Sequence, residues 1–129
     1  MSLCTFTKEE RLSRRKYINR LFARGKVYHL SSLQLRYLPL TIKEVNHHQV
    51  VFIVTKKNIK KAHQRNLLKR RLREAYRRNK HLLDSIHPTR LLLAYIYKSK
   101  HITSYQHLLS NIIDTLTMLQ HHYSHTPPL

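Results

Sequence analysis

The chain has 129 residues, of which 41% are hydrophobic, and this size suits one domain with one modest core. Its 25 Lys and Arg against 6 Asp and Glu give a formal net charge of +19, which points to nucleic acid or an anionic membrane. The membrane alternative is weak, because the longest apolar run, 91–97, is far shorter than the ~20 residues that span a bilayer. The single cysteine excludes an internal disulfide, and the opening residues do not resemble a secretory leader, so we expect a cytoplasmic protein.

The residue pattern of the N-terminal half predicts a helix followed by strands. Thr7 and Glu10 have the spacing of a capping box. A helix is expected over 14–24, with Ser13 as its cap and Gly25 as its stop. Alternation of apolar and polar residues predicts a half-buried strand over 33–40, and residues 28–30 are a candidate for one more strand. A β-branched run predicts a further strand over 50–55.

The C-terminal half predicts a basic helix that begins near Lys60, a strand over 90–97 and an apolar helix over 104–120. The resulting order, αβββαβα, indicates an α+β fold, a two-layer α/β sandwich with the helices on one side of the sheet. Residues 1–120 are expected to form one nucleic-acid-binding domain, and 121–129 to be a disordered tail.

The segment 56–80 concentrates the positive charge. It holds roughly half of the chain's Lys and Arg and a single acid, Glu74. At about 100° per residue, an apolar stripe forms along one side of this helix from Leu68, Leu72, Ala75 and Tyr76. The neighbouring arc, expected to stay exposed and bind phosphates, holds Arg65, Asn66, Lys69, Arg70, Arg73 and Arg77.

The same segment resembles the Arg-Asn-Arg signature of the bacterial ribonuclease P protein component. The resemblance runs from 55 to 58, through Ala62-His63, and over 65–77, and extends at lower specificity over about the first 120 residues. Two positions depart from the family pattern. Leu67 replaces the second Arg of the signature, and Ile18 stands where the family usually has an aromatic residue.

The resemblance implies a ribosomal-protein-like, four-stranded fold with a left-handed crossover. It also implies a protein that assists a catalytic RNA, which works with Mg²⁺, in removing the 5′ leader of precursor tRNA by phosphodiester hydrolysis. No side chain of the protein would react, and no protein partner or membrane would be needed. On this interpretation the contacts to RNA also include Lys56, Lys57, Lys60, Lys61 and His63.

A cleft beside the sheet is expected to accept the extended leader. Aromatic rings beside cations favour single-stranded RNA, since bases stack on the rings while the cations contact phosphates. The cleft is predicted to lie between the basic helix and the sheet and to include Ile18, Phe22, Gln34, Arg36 and Tyr37. Alternation with Leu33 and Leu35 leaves open that Tyr37 instead faces the core.

Two other functions fit part of the sequence. A small ribosomal protein would share the size and charge, although it would not explain the signature segment. A stand-alone ribonuclease would need converging carboxylates or a placed histidine pair, and the six acids and eleven histidines are scattered along the chain. The sequence therefore predicts neither a catalytic side chain nor a metal site in the protein itself.

Overall fold

The computed structural model describes residues 5–41 and 43–124. The helices are α1 Arg15–Arg24, α2 Ala62–Asn79 and α3 Tyr105–Tyr123, and the strands are β1 Lys26–His29, β2 Leu33–Leu40, β3 Gln49–Ile53 and β4 Arg90–Tyr97. Two 3₁₀ segments, Lys8–Glu10 and Lys80–Ile86, precede α1 and follow α2.

The strands form one sheet in the order β1-β2-β4-β3. β2 is antiparallel to both β1 and β4, whereas β3 and β4 are parallel. A parallel pair needs a crossover connection, and α2 supplies it. The predicted α+β class with four strands is confirmed, and the left-handed sense of the crossover stays a prediction.

Helices cover both faces of the sheet. On β4, Leu91 and Leu93 belong to the core cluster shared with α2 and α3, whereas Leu92 and Ala94 belong to a second cluster with Leu21 of α1. The expectation that all helices lie on one side therefore needs correction, because α1 covers the opposite face. The cause is β4 itself: it is buried at every position from 91 to 97, so it needs apolar cover on both faces.

Most predicted boundaries agree with the structure. β2 and β4 match 33–40 and 90–97, whereas β1 starts two residues before the predicted strand. α1 begins after Arg14, so Ser13 does not cap it. α3 continues to Tyr123 because its apolar side packs on the core beyond residue 120, so 121–123 belong to the helix instead of a tail. Residues 125–129 of the predicted tail lie outside the described residues.

Gly25 ends α1 through a close approach of the backbone. Its amide donates to the Leu21 carbonyl at 2.7 Å, and its φ of −69° is open to any residue. A Cβ at this position would clash with the Leu21 carbonyl oxygen and lie 2.8 Å from Leu21 Cδ1. The glycine is therefore needed for space where the chain turns into β1.

A partly buried ion pair ties the N-terminal segment to the end of α2. Lys80 Nζ lies 2.8 Å from Glu10 Oε2 and also donates to the Thr5 carbonyl. The predicted capping box is present here, since Glu10 Oε1 accepts from the Thr7 amide at 3.0 Å. Partial burial of Glu10 raises its pKa, but hydrogen bonds from Lys80 and Thr7 outweigh this effect and lower the pKa below 4.5.

Glu10→Gln is expected to lower the free energy of unfolding by about 1.5–3 kcal/mol at neutral pH, because it removes a charge-assisted hydrogen bond. The carboxylate stabilises the fold fully above its unfolded pKa, and this stabilisation is lost as the pH falls through the lowered folded pKa. Denaturant titrations from neutral pH into acid should therefore show the difference from wild type shrinking. Glu9→Gln, at an exposed neighbour, is the control. A difference that does not change with pH would contradict a role for the charge.

Candidate nucleic-acid interface

α2 docks on the sheet by the predicted apolar stripe. Leu68, Leu72, Ala75 and Tyr76 are each at most 1% exposed, and Phe52 and Tyr95 of the sheet contact the Tyr76 ring edge-on. Arg71 Nη1 also donates to the Thr103 carbonyl at 2.8 Å, which links the helix to the loop before α3. These contacts fix which side of α2 faces solvent.

The exposed side of α2 is basic and lacks internal neutralisation at its centre. His63, Asn66, Arg70 and Arg73 are exposed, and Lys69 is half-buried. Among the described residues, no hydrogen bond or ion pair involves the side chains of Asn66, Arg70 or Arg73. A rigid helix thus presents unpaired donors and cations at a spacing that can contact successive phosphates.

Two predicted phosphate contacts have internal partners. Arg65 Nη1 donates to the Ile59 and Lys60 carbonyls at 2.9 and 2.7 Å, so this guanidinium braces the chain that enters α2. Arg77 lies 2.7 Å from the Glu74 carboxylate. The sequence could not distinguish arginines that contact phosphate from arginines with internal partners, because both kinds fall on the same predicted arc of the helix. Leu67, the departure from the signature, is half-buried on the flank of the exposed side.

The loop that enters α2 carries four exposed lysines, Lys56, Lys57, Lys60 and Lys61. Asn58 Nδ2 donates to the Tyr97 carbonyl at 3.1 Å, and Ile59 is 3% exposed, so the loop is anchored to β4 while its lysines face solvent. The loop therefore continues the positive surface of α2 to the end of β3.

A second surface lies on the α1 face of the sheet. The Arg36 guanidinium carbon of β2 is 5.1 Å from the centre of the Phe22 ring, and Phe22 is 37% exposed. Ile18 of α1 packs against the cluster that contains Leu21. Gln34 is two residues before Arg36 on β2, so both side chains lie on the same face of the sheet. Four of the five predicted cleft residues thus share one face.

The predicted cleft between the basic helix and the sheet needs two corrections. Tyr37 is 7% exposed and faces the opposite side of the sheet, where His122 and Tyr123 of α3 contact its ring edge-on. Side chains alternate along a strand, so Tyr37 lies on the same face as Leu33 and Leu35 and on the face opposite to Arg36. α2 also lies on that opposite side, so the groove with Gln34 and Arg36 is bounded by α1 and not by the basic helix.

Three carboxylates are held by cations instead of converging on one point. Glu10 pairs with Lys80, and Glu44 pairs with Arg20 at 3.0 Å. Glu74 has its pKa lowered to about 2, chiefly by the Arg77 hydrogen bond. Across 5–41 and 43–124, no group of three or more His, Cys, Asp or Glu could hold a metal ion.

His48 has a structural role. Burial and the nearby Arg90 cation lower its pKa to about 4, so its ring is neutral at neutral pH. Nδ1 accepts a hydrogen bond from the Leu91 amide at 3.1 Å at the start of β4. His63 differs, since it lies exposed in the first turn of α2.

Within the described ranges, no helix has both the length and the apolar content to cross a membrane.

Comparisons with known proteins agree with this geometry. Residues 6–120 match the family described as Ribonuclease P. A curated protein of Porphyromonas gingivalis, "Ribonuclease P protein component", is 38% identical over 90 residues, which are 70% of this chain and 66% of that protein. The alignment thus spans slightly less than two thirds of the relative's length.

Solved structures show the same fold. The RNase P protein of Staphylococcus aureus superposes with a TM-score of 0.66 at 18% identity, covering 89% of this chain and 98% of the other. The RNase P protein of Thermotoga maritima gives 0.66 at 22% identity, covering 84% and 96%. Taken with the family match over 6–120, these findings show that the chain belongs to the ribonuclease P protein family.

Proposed function

We propose that this chain assists a catalytic RNA in the endonucleolytic removal of the 5′ leader from precursor tRNA. The observation that carries the proposal is the exposed side of α2, where Asn66, Arg70 and Arg73 have no partner in 5–41 or 43–124 while the opposite side packs into the core. Such a surface binds RNA phosphates and supplies no reacting group. We place this work in the cytoplasm, where precursor tRNA and catalytic RNA would be available.

The exposed side of α2 and its entry loop would hold the catalytic RNA near the cleavage site. Cations there reduce repulsion between the phosphates of the catalytic RNA and those of the substrate, which favours substrate binding. We assign the Mg²⁺ ions of the reaction to the RNA subunit, as the family resemblance implies. Bound there, Mg²⁺ would supply activation of the attacking water and stabilisation of the leaving oxygen.

The groove between α1 and the sheet would accept the single-stranded leader. Phe22 offers an exposed ring for a base, and Arg36 beside it offers a cation for a phosphate. The Arg36 guanidinium has further N–H groups that can donate to a phosphate. The two surfaces lie on opposite faces of the sheet and can be tested separately.

Two aromatic residues on opposite faces make a matched test. In enzyme reconstituted with the catalytic RNA, Phe22→Leu should weaken binding of a precursor with a long leader by about 1–3 kcal/mol, because a stacked base loses its ring. Binding of a precursor without a leader should stay unchanged. Tyr37→Leu, on the opposite face, should leave the leader preference intact. Equal losses for both precursors with Phe22→Leu would contradict the groove assignment.

A further inference from the structure

One acid interrupts the exposed side of α2. Residues four apart lie on one row along a helix, and on α2 one such row is Asn66, Arg70, Glu74 and Arg78. Asn66 and Arg70 are exposed at the start of this row. Glu74 then places a carboxylate about one helical turn, ~5.4 Å, beyond Arg70. An RNA backbone that follows the row therefore meets a negative charge before the helix ends.

The Glu74 carboxylate accepts hydrogen bonds from two arginines at once. Oε1 accepts from Arg77 Nε at 3.0 Å, and Oε2 accepts from Arg77 Nη2 at 2.7 Å, so this contact has two points. Oε2 also accepts from Arg78 Nε at 2.9 Å. A two-point contact between a guanidinium and a carboxylate is stronger and better oriented than a single hydrogen bond. The two arginines in the last turn of α2 thus already have an anionic partner within the helix.

The carboxylate is placed to compete with RNA. The Glu74 side chain is 38% exposed, and its pKa of about 2 keeps it ionised at neutral pH. A phosphate that approaches Arg77 or Arg78 must displace this carboxylate or lie beside it, and both outcomes oppose binding. The unopposed cations of the exposed side therefore end at Arg73.

The same ion pairs also support the helix. A glutamate followed by arginine three or four residues later is a favourable arrangement within a helix. A purely structural role of this kind would leave the choice between RNA partners unaffected. The two roles can therefore be distinguished by a comparison of RNAs.

We propose that Glu74 is a specificity determinant, which ends the phosphate-binding surface of α2 at Arg73 and disfavours RNA whose backbone runs along the whole helix. The inference rests on the proposed function, with the catalytic RNA as the partner that contacts α2 only as far as Arg73. RNA of unrelated sequence binds through phosphates alone, so the acid acts mainly against it. A chain with a net charge of +19 attracts any polyanion, and Glu74 limits this attraction on its most basic helix.

Glu74→Gln tests the assignment with two probes, the catalytic RNA and an RNA duplex of unrelated sequence. The substitution keeps the length of the side chain and removes its charge. Binding of the unrelated duplex should tighten by at least about fivefold, and its slope of log K against log salt should steepen by about 0.9–1.8, since one or two phosphate contacts are added. Binding of the catalytic RNA should tighten by less than about twofold, because its contacts end before Glu74.

Asp114→Asn is the matched control, because it removes one negative charge from an exposed position of α3. It should leave the ratio of the two affinities unchanged. A further variant combines Glu74→Gln with Arg77→Gln and Arg78→Gln. It should lose the gain for the unrelated duplex, since the released cations are no longer present.

Equal gains for both RNAs in Glu74→Gln, or no gain for the unrelated duplex, would overturn the role of Glu74. A gain that persists without the two arginines, or an equal change of the ratio in Asp114→Asn, would overturn it as well. If wild type itself shows no preference for the catalytic RNA over the unrelated duplex, the proposed function fails, so the two failures are distinguishable.

Discussion

The affinity of this protein for its RNA partner should fall by roughly 10³ between about 50 and 200 mM salt, if about six phosphates are contacted. The expectation follows from the exposed side of α2, where Asn66, Arg70 and Arg73 have no partners among the described residues and no acid stands between them. Each phosphate contact releases condensed counterions from the RNA, and salt opposes this release. Binding to labelled catalytic RNA over a salt series measures the effect.

Arg70→Ala with Arg73→Ala should weaken binding and make the salt slope shallower, because two contacts are removed from the centre of the surface. Arg65→Ala is a poorer test, since Arg65 also braces the Ile59 and Lys60 carbonyls and its loss disturbs the loop. A salt response that is flat in wild type would contradict the electrostatic interpretation of α2.

Leu72→Ala should cost about 2–5 kcal/mol of unfolding free energy. Leu72 is fully buried at the centre of the stripe that docks α2, and its truncation leaves a cavity that the surrounding residues cannot fill without moving the helix. Denaturant unfolding followed by circular dichroism gives the value.

Arg73→Ala, one residue away on the exposed side, is the matched control. It should change stability by less than about 0.5 kcal/mol while weakening RNA binding, the opposite pattern to Leu72→Ala. Unchanged stability in Leu72→Ala would mean that α2 does not pack by the observed side.

The periodic parts of the fold could be predicted from the sequence because burial enforces them. Residues 33–40 alternate, the 91–97 run is wholly apolar, and the α2 stripe recurs at helical spacing, so each pattern has one low-energy placement. The side of the sheet that α1 covers could not be predicted. It depends on β4 needing apolar cover on both faces. A run that is apolar at every position does not show which of its side chains face which side of the sheet.

The candidate interface was predictable only in part. Charge density and the signature segment identified α2, but not that Arg65 and Arg71 donate to backbone carbonyls, since those contacts depend on the loops after β3 and β4. The predicted cleft includes both Arg36 and Tyr37, but neighbouring residues of a strand face opposite sides of the sheet.

Cleavage of a precursor tRNA by the purified protein, by the catalytic RNA, and by both together is the most direct test of the central claim. At moderate Mg²⁺ and near-physiological salt, we expect efficient removal of the 5′ leader only when both components are present. The protein should act by tightening substrate binding in the combined reaction. Cleavage by the protein alone, or cleavage by the RNA that the protein does not enhance, would contradict the account.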